Sequence, residues 1–258
     1  MELLTLKLIL TPLLIGVASV AAGRWGPAVG GWIVSLPMIS GSVALFVALQ
    51  DGTGFAALTA AASLAGTIAI AAYCIAYVQV ARRARWPAAA FAALLSWAIV
   101  AAIVRPLISL PVVLPLLAVA LLAFTALRWM PRGSMRPSAS SMPRWNLAAR
   151  MIVGTGAVLG LTTLAPLIGP TATGLLATLP VSTSVLAIFV HAREGATAAT
   201  GILRGLLTGL LASAVFLALL SGTVRPLGIL ASFALSLVAV MVLQAVALTQ
   251  IAAGLQRA

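Results

Sequence analysis

The chain has 258 residues, of which 63 % are hydrophobic and 7 % are charged. A soluble globular domain carries about 25 % charged residues, so these proportions exclude one and point to an integral membrane protein. The formal net charge of +12 does not imply nucleic acid, because the arginines fall between apolar runs, where cytoplasmic loops collect them. The runs are roughly 20 residues long and do not alternate, so the expected fold class is all-α: a polytopic helical membrane protein.

The first run, Leu3 to Ala22, contains Lys7 and Pro12. With no basic segment ahead of it and no clean small-residue cleavage site, it reads as a retained span rather than a signal peptide. The second, Gly26 to Gly52, is interrupted at Ser35, Leu36 and Pro37, with Ser40, Gly41 and Ser42 one turn on. Proline removes a backbone donor and clashes with the preceding turn. A membrane helix broken there must have its freed backbone groups satisfied by protein or by a water-filled cavity. The third run, Phe55 to Val80, is rich in Ala, Gly and Ser, which let membrane helices pack closely. It ends at Arg82, Arg83 and Arg85, and its lone cysteine, Cys74, allows neither an intrachain disulfide nor a thiolate metal site. A fourth run covers Pro87 to Val104, and a fifth, kinked by Pro111 and Pro115, covers Pro106 to Met130.

The polar stretch Pro131 to Asn146 is the boundary between two halves. A sixth run follows from Leu147 to Ile168. The seventh, Gly169 to Gly195, repeats the earlier device, with Thr178, Leu179 and Pro180 followed by Ser182, Thr183 and Ser184. The eighth is Ala196 to Leu220 and the ninth Pro226 to Ala253.

One offset of 143 positions, Pro27 to Pro170, aligns the halves without a gap from about residue 7 to 66. It pairs Lys7 with Arg150, Gly31 with Gly174, Pro37 with Pro180, Ser40 with Thr183, Phe46 with Phe189, Asp51 with Glu194 and Gly52 with Gly195. Two broken hydrophobic segments at matching positions point to a transporter binding site; a kink that only shapes packing is the plainer reading.

The organisation expected is a four-helix repeat at 1–104, a connecting fifth helix and cytoplasmic linker at 105–146, and a second four-helix repeat at 147–258. Putting the arginine-rich linker in the cytoplasm gives nine crossings of the inner membrane, with the N-terminus outside and the C-terminus inside. Arg24, the Arg82 to Arg85 cluster, Arg193 and Arg257 then lie inside, and Lys7, Arg105 and Arg225 outside. Re-entrant hairpins at the breaks are the rival. Because four spans return the chain to its starting side and the fifth carries it across, the second repeat is inverted.

The basic residue opening each half (Lys7, Arg150), the Gly-rich entry (Gly30 and Gly31, Gly174), Leu-Pro followed by hydroxyls, and the acidic-Gly turn (Asp51-Gly52, Glu194-Gly195) resemble the small four-helix membrane proteins of the GlpM-like and DUF3147 type. Their architecture is similar to that of the drug/metabolite transporter superfamily. The resemblance covers about 100 residues of each half and omits the fifth span. It implies a fused duplicate with a transport-like fold, but no substrate. Small multidrug transporters of that superfamily carry a membrane-embedded glutamate in the first helix; this chain lacks it, which argues against proton-coupled cation export.

The carboxylates, Glu2, Asp51 and Glu194, all fall away from mid-membrane, whereas a cation site in hydrocarbon normally uses one. Hydroxyls, glycines and free N–H groups at broken-helix N-termini favour an anionic or neutral polar solute. The candidate binding residues are Gly31, Trp32, Ser35, Pro37, Ser40 and Ser42 in the first half and Gly174, Thr178, Pro180, Ser182 and Thr183 in the second. Lys7 and Arg150 join them, either as paired anion attractors or as side chains that snorkel to the interface. Arg204 is read as pairing with Glu194 or snorkelling, His191 as interfacial, and Trp32 as packing by default. No catalytic set, metal cluster or cofactor motif is present, so the chain does not read as an enzyme.

The expected function is secondary transport or export of a small polar solute by alternating access. A flippase for a headgroup such as polyprenyl phosphate is the second reading, and a non-transporting accessory subunit, with tightly packed breaks and no cavity, is the third. The partners are the bilayer and a small-molecule solute; homodimer formation stays open.

Overall fold

A computed structural model describes residues 2–24, 37–131 and 144–255. All regular secondary structure among them is helical: α1 (Glu2–Arg24), α2 (Met38–Ala81), α3 (Trp86–Ile103), a 3-10 turn (Arg105–Ser109), α4 (Val113–Trp129), α5 (Arg144–Leu176), α6 (Val181–Glu194) and α7 (Ala196–Leu255). Four stretches are long and apolar enough to cross a membrane: Met38–Ala81, Trp86–Ile103, Leu147–Glu194 and Ala196–Leu243.

Within α2, α5 and α7 the helical path is interrupted at a single glycine each: Gly52 (φ 88°, ψ 169°), Gly169 (φ 77°, ψ 167°) and Gly228 (φ 76°, ψ 178°). Gly195, between α6 and α7, has the same conformation, φ 89° and ψ 176°. That backbone region is essentially closed to residues with a Cβ, so these glycines are the points at which one apolar run ends and the next begins. The expected end of the seventh run at Gly195 agrees. The eighth run continues past Leu220 and through Pro226 before it is interrupted at Gly228.

The fifth run differs more. Pro111 carries no N–H, so the segment after Val104 forms a 3-10 turn, and the α-helix starts only at Val113, with Pro115 in its first turn. At 17 residues this helix is about 26 Å long, shorter than the expected span.

The core sits around the second part of α2. Leu64, Tyr73, Tyr77 and Val78 are buried there against Leu203, Leu207, Leu210, Phe216 and Leu217 of α7 and against Ala93 and Trp97 of α3. A second cluster, Val43, Phe46, Val47 and Ala56 of α2 with Val158, Ala165 and Ala177, joins α2 to α5. Small residues set this crossing. A Cβ on Gly174 would lie 2.2 Å from the Thr59 carbonyl oxygen, and one on Gly66 would lie 2.7 Å from the Thr178 side chain. Ser63 donates to the Gly174 carbonyl at 2.9 Å, across the same close approach.

Candidate functional site

At the second expected break the helical path is interrupted between Leu176 and Val181; at the first, the residues before Pro37 lie outside the described ones, but Pro37 and Pro180 share a geometry. Pro37 has φ −75° and ψ 67°, and Pro180 has φ −79° and ψ 57°; each is the N-cap of the helix that follows, without a side-chain cap. The Pro37 carbonyl accepts from the Gly41 N–H at 2.6 Å, and the Pro180 carbonyl from Ser184 at 2.7 Å. From each proline the helix runs 14 residues before a glycine of φ near +88° (Gly52, Gly195) interrupts it. The first-turn N–H groups of a helix have no intrahelical acceptor, so both breaks present free donors and a positive dipole end.

The two breaks meet. The Ala177 carbonyl, which a continuous helix would bond to Val181, instead accepts the Ser40 hydroxyl at 3.0 Å, while the Val181 N–H turns to the Leu179 carbonyl at 2.7 Å. Between the breaks lies a cavity of about 130 Å³, lined by Pro37, Met38, Ile39, Ser40, Ala177, Thr178, Leu179, Pro180, Ser182 and Thr183. Ile15, Thr67, Ile70, Arg150, Leu206, Gly209, Leu210, Ser213 and Leu217 complete it.

Five lining pairs are separated by the same 143 positions: Pro37 and Pro180, Ile39 and Ser182, Ser40 and Thr183, Thr67 and Leu210, Ile70 and Ser213. The last two pairs lie just past residue 66, where the aligned stretch ends, and carry no proline beside them; Ile15 has no counterpart in the lining.

Of the candidate residues, the cavity brings together Pro37, Ser40, Arg150, Thr178, Pro180, Ser182 and Thr183. Gly31, Trp32 and Ser35 lie outside the described residues. Ser42 is buried but not in the lining, since two residues on from Ser40 turn it about 200° around the helix. Gly174 also lies elsewhere, at the crossing with α2, where its missing side chain is a packing requirement. Thr178 lines the cavity with its hydroxyl already engaged, donating to the Leu175 carbonyl at 2.6 Å and accepting from the Trp97 indole at 3.4 Å.

The two cations part company. Arg150 lines the cavity, and among the described residues its buried Nε has no hydrogen-bond partner; the buried Ser182 hydroxyl has none either. Among the described residues no carboxylate lines this cavity. Lys7 is 4 % exposed and lies outside the lining. Its Nζ donates to Gln50 Oε1 at 2.8 Å and to Thr162 Oγ1 at 2.7 Å, and it lies 5.6 Å from the centre of the Phe46 ring.

Arg204 reaches the end of α4. Its Nη1 donates to the carbonyls of Leu127 at 2.9 Å and Met130 at 2.7 Å. The last carbonyls of α4 have no helical donor and carry the negative end of its dipole, so Arg204 caps that helix. His191 Nδ1 shares a hydrogen bond of 3.2 Å with the Tyr77 hydroxyl.

Comparison with protein-family models, characterised proteins and solved structures finds no match to this chain.

Proposed function

We propose that this protein is a secondary transporter of a small anionic solute, working by alternating access between two inverted repeats, with the cavity at the paired breaks as its site. The observation that carries this reading is the lining itself. An arginine with an unsatisfied Nε, a serine with an unsatisfied hydroxyl and two helix N-termini without side-chain caps converge on one space that, among the described residues, no carboxylate lines. Such donors and positive dipole ends suit an anion. About 130 Å³ accommodates a solute of a few heavy atoms, well below the 300–1,000 Å³ typical of drug-sized ligands. A packed accessory subunit would have no such space.

The nine crossings and the inversion belong to the same reading. Contacts between distant helices agree with its sidedness. Arg225 reaches the Gly54 carbonyl at 3.4 Å, both on the expected outer side. Arg204 reaches Met130 at 2.7 Å on the expected inner side. The offset pairs in the lining support a site on the axis that relates the halves. On this reading the protein is an inner-membrane, multi-pass protein with its N-terminus outside.

The test is flux into liposomes containing the purified protein, with acetate, inorganic phosphate, glycerol and potassium as solutes. Flux of a small anion is expected, abolished or much reduced by Arg150→Gln. Flux of potassium that ignores the substitution, or no flux of any of the four, would count against the transport reading.

A further inference from the structure

We propose that Lys7, Gln50 and Thr162 form a one-sided lock that sets the resting orientation of the transporter. Lys7 leaves this lock to line the cavity when the opposite orientation forms. The proposal rests on the alternating-access reading above and adds the device that decides which orientation is favoured.

The lock joins three elements that would have to separate. Lys7 lies on α1, Gln50 on the part of α2 between Pro37 and Gly52, and Thr162 on α5. Nζ reaches the two oxygens at 2.8 and 2.7 Å. Thr162 donates its own hydroxyl hydrogen to the Val158 carbonyl at 2.8 Å, so its lone pairs are turned to the ammonium. Asp51, next to Gln50, attracts the same charge, and the Phe46 ring faces it. An ammonium held away from water without acceptors is costly, so Lys7 stays while these oxygens are in reach. It sits eight residues from Ile15, a cavity residue, which is about 12 Å along α1.

The second half cannot make the same lock. The offset of 143 pairs Lys7 with Arg150, Thr162 with Ser19 and Asp51 with Glu194, so a hydroxyl and a carboxylate recur. Gln50, however, pairs with Arg193. Arginine is a donor without acceptor capacity, and it repels a second arginine. The amide oxygen that holds Lys7 therefore has no counterpart, and a positive charge stands in its place. The Arg193 guanidinium lies 5.2 Å from the centre of Phe189, the ring that matches Phe46. When inverted repeats exchange conformations, equivalent residues exchange surroundings. Lys7 would then take the place at the cavity that Arg150 holds here. Arg150 would meet Arg193 where Lys7 now meets Gln50. The lock is complete in only one of the two orientations, so the protein rests in that one.

The experiment reads orientation by labelling. In a Cys74→Ala background, Leu206→Cys places a thiol in the cavity lining, and a membrane-impermeant maleimide is added from either side of sealed vesicles. The Gln50→Met, Thr162→Val double variant should shift the ratio of the two labelling rates toward the disfavoured side by roughly tenfold or more. Gln50→Glu, which keeps an acceptor and adds a charge opposite to that of Lys7, should hold the starting ratio or move it further toward the resting side. An unchanged ratio in the double variant overturns the lock. If the double variant fails to insert, Gln50→Met alone is compared with Gln50→Glu; equal ratios overturn the proposal and a shift toward the disfavoured side in Met alone supports it. Binding of acetate and phosphate to the same proteins separates the two readings. Anion binding with an unmoved ratio defeats the lock and spares the transport reading. A moved ratio without anion binding does the reverse.

Discussion

The Ser40 hydroxyl donates to the Ala177 carbonyl across 3.0 Å, joining the two broken segments through a backbone oxygen that the second break itself releases. A backbone oxygen freed within a membrane helix must be satisfied by protein or by water in a cavity, and here Ser40 supplies the donor. Ser40→Ala should therefore cost about 1–3 kcal/mol, the penalty for a buried acceptor left unsatisfied. Ser40→Thr keeps the donor and should recover most of the loss. Thermal unfolding in detergent measures both; equal melting temperatures for Ser40→Ala and the starting protein would show that the oxygen finds another donor.

Glycine substitutions should divide by position. Alanine is favoured over glycine by about 1 kcal/mol in a helix interior. At Gly160 an added Cβ meets no atom within 4 Å, so Gly160→Ala should be neutral or stabilising. At Gly174 the same Cβ would lie 2.2 Å from backbone, which cannot yield as a side chain can. Gly174→Ala should then be destabilising by about 1–3 kcal/mol through overpacking. Melting of the two variants side by side checks the sign.

Gly52 and Gly195 share φ near +88° and extended ψ, with open space around the missing Cβ. The cost of Gly52→Ala or Gly195→Ala is therefore conformational, on the order of 1–3 kcal/mol each. Because an added Cβ meets no atom within 4 Å at either position, the two changes share no partner. The double substitution should be additive within about 0.5 kcal/mol in the same melting measurement.

Arg204→Met keeps the apolar stem but removes the donors to Leu127 and Met130. The end of α4 should loosen, seen as faster amide hydrogen exchange over the residues before Met130. The expected loss of stability is about 1.5–3 kcal/mol, as for hydrogen bonds to a charged group.

Much of this architecture is legible in the residues. Composition and run length give the helical membrane class, and the Leu-Pro step at Pro180 locates the break before Val181. The 143-residue offset ties them together, because backbone constraints imposed by proline and glycine are local. What the sequence does not reveal is which side chains reach one another across helices. Lys7 and Arg150 look equivalent in sequence, yet one is held by Gln50 and Thr162 and the other lines the cavity. Nothing around Arg204 in the sequence names its partner, which is the end of a helix 74 positions away. Thr178 looks like a free hydroxyl, yet Gly66 lets it approach closely, and Trp97 and Leu175 engage it. In each case the deciding partner is set by packing between elements, beyond any local pattern.

An anion held between the breaks by Arg150 and Ser182 is the centre of the functional reading. Direct titration of acetate and phosphate into the purified protein, with Arg150→Gln and Ser182→Ala beside it, tests this most closely. Saturable anion binding is predicted, weakened by about 1.5–3 kcal/mol in Arg150→Gln, since a charge-assisted hydrogen bond is lost. A smaller loss of about 0.5–1.5 kcal/mol is expected in Ser182→Ala. Anion affinity unchanged by Arg150→Gln in a folded, monodisperse protein would contradict it.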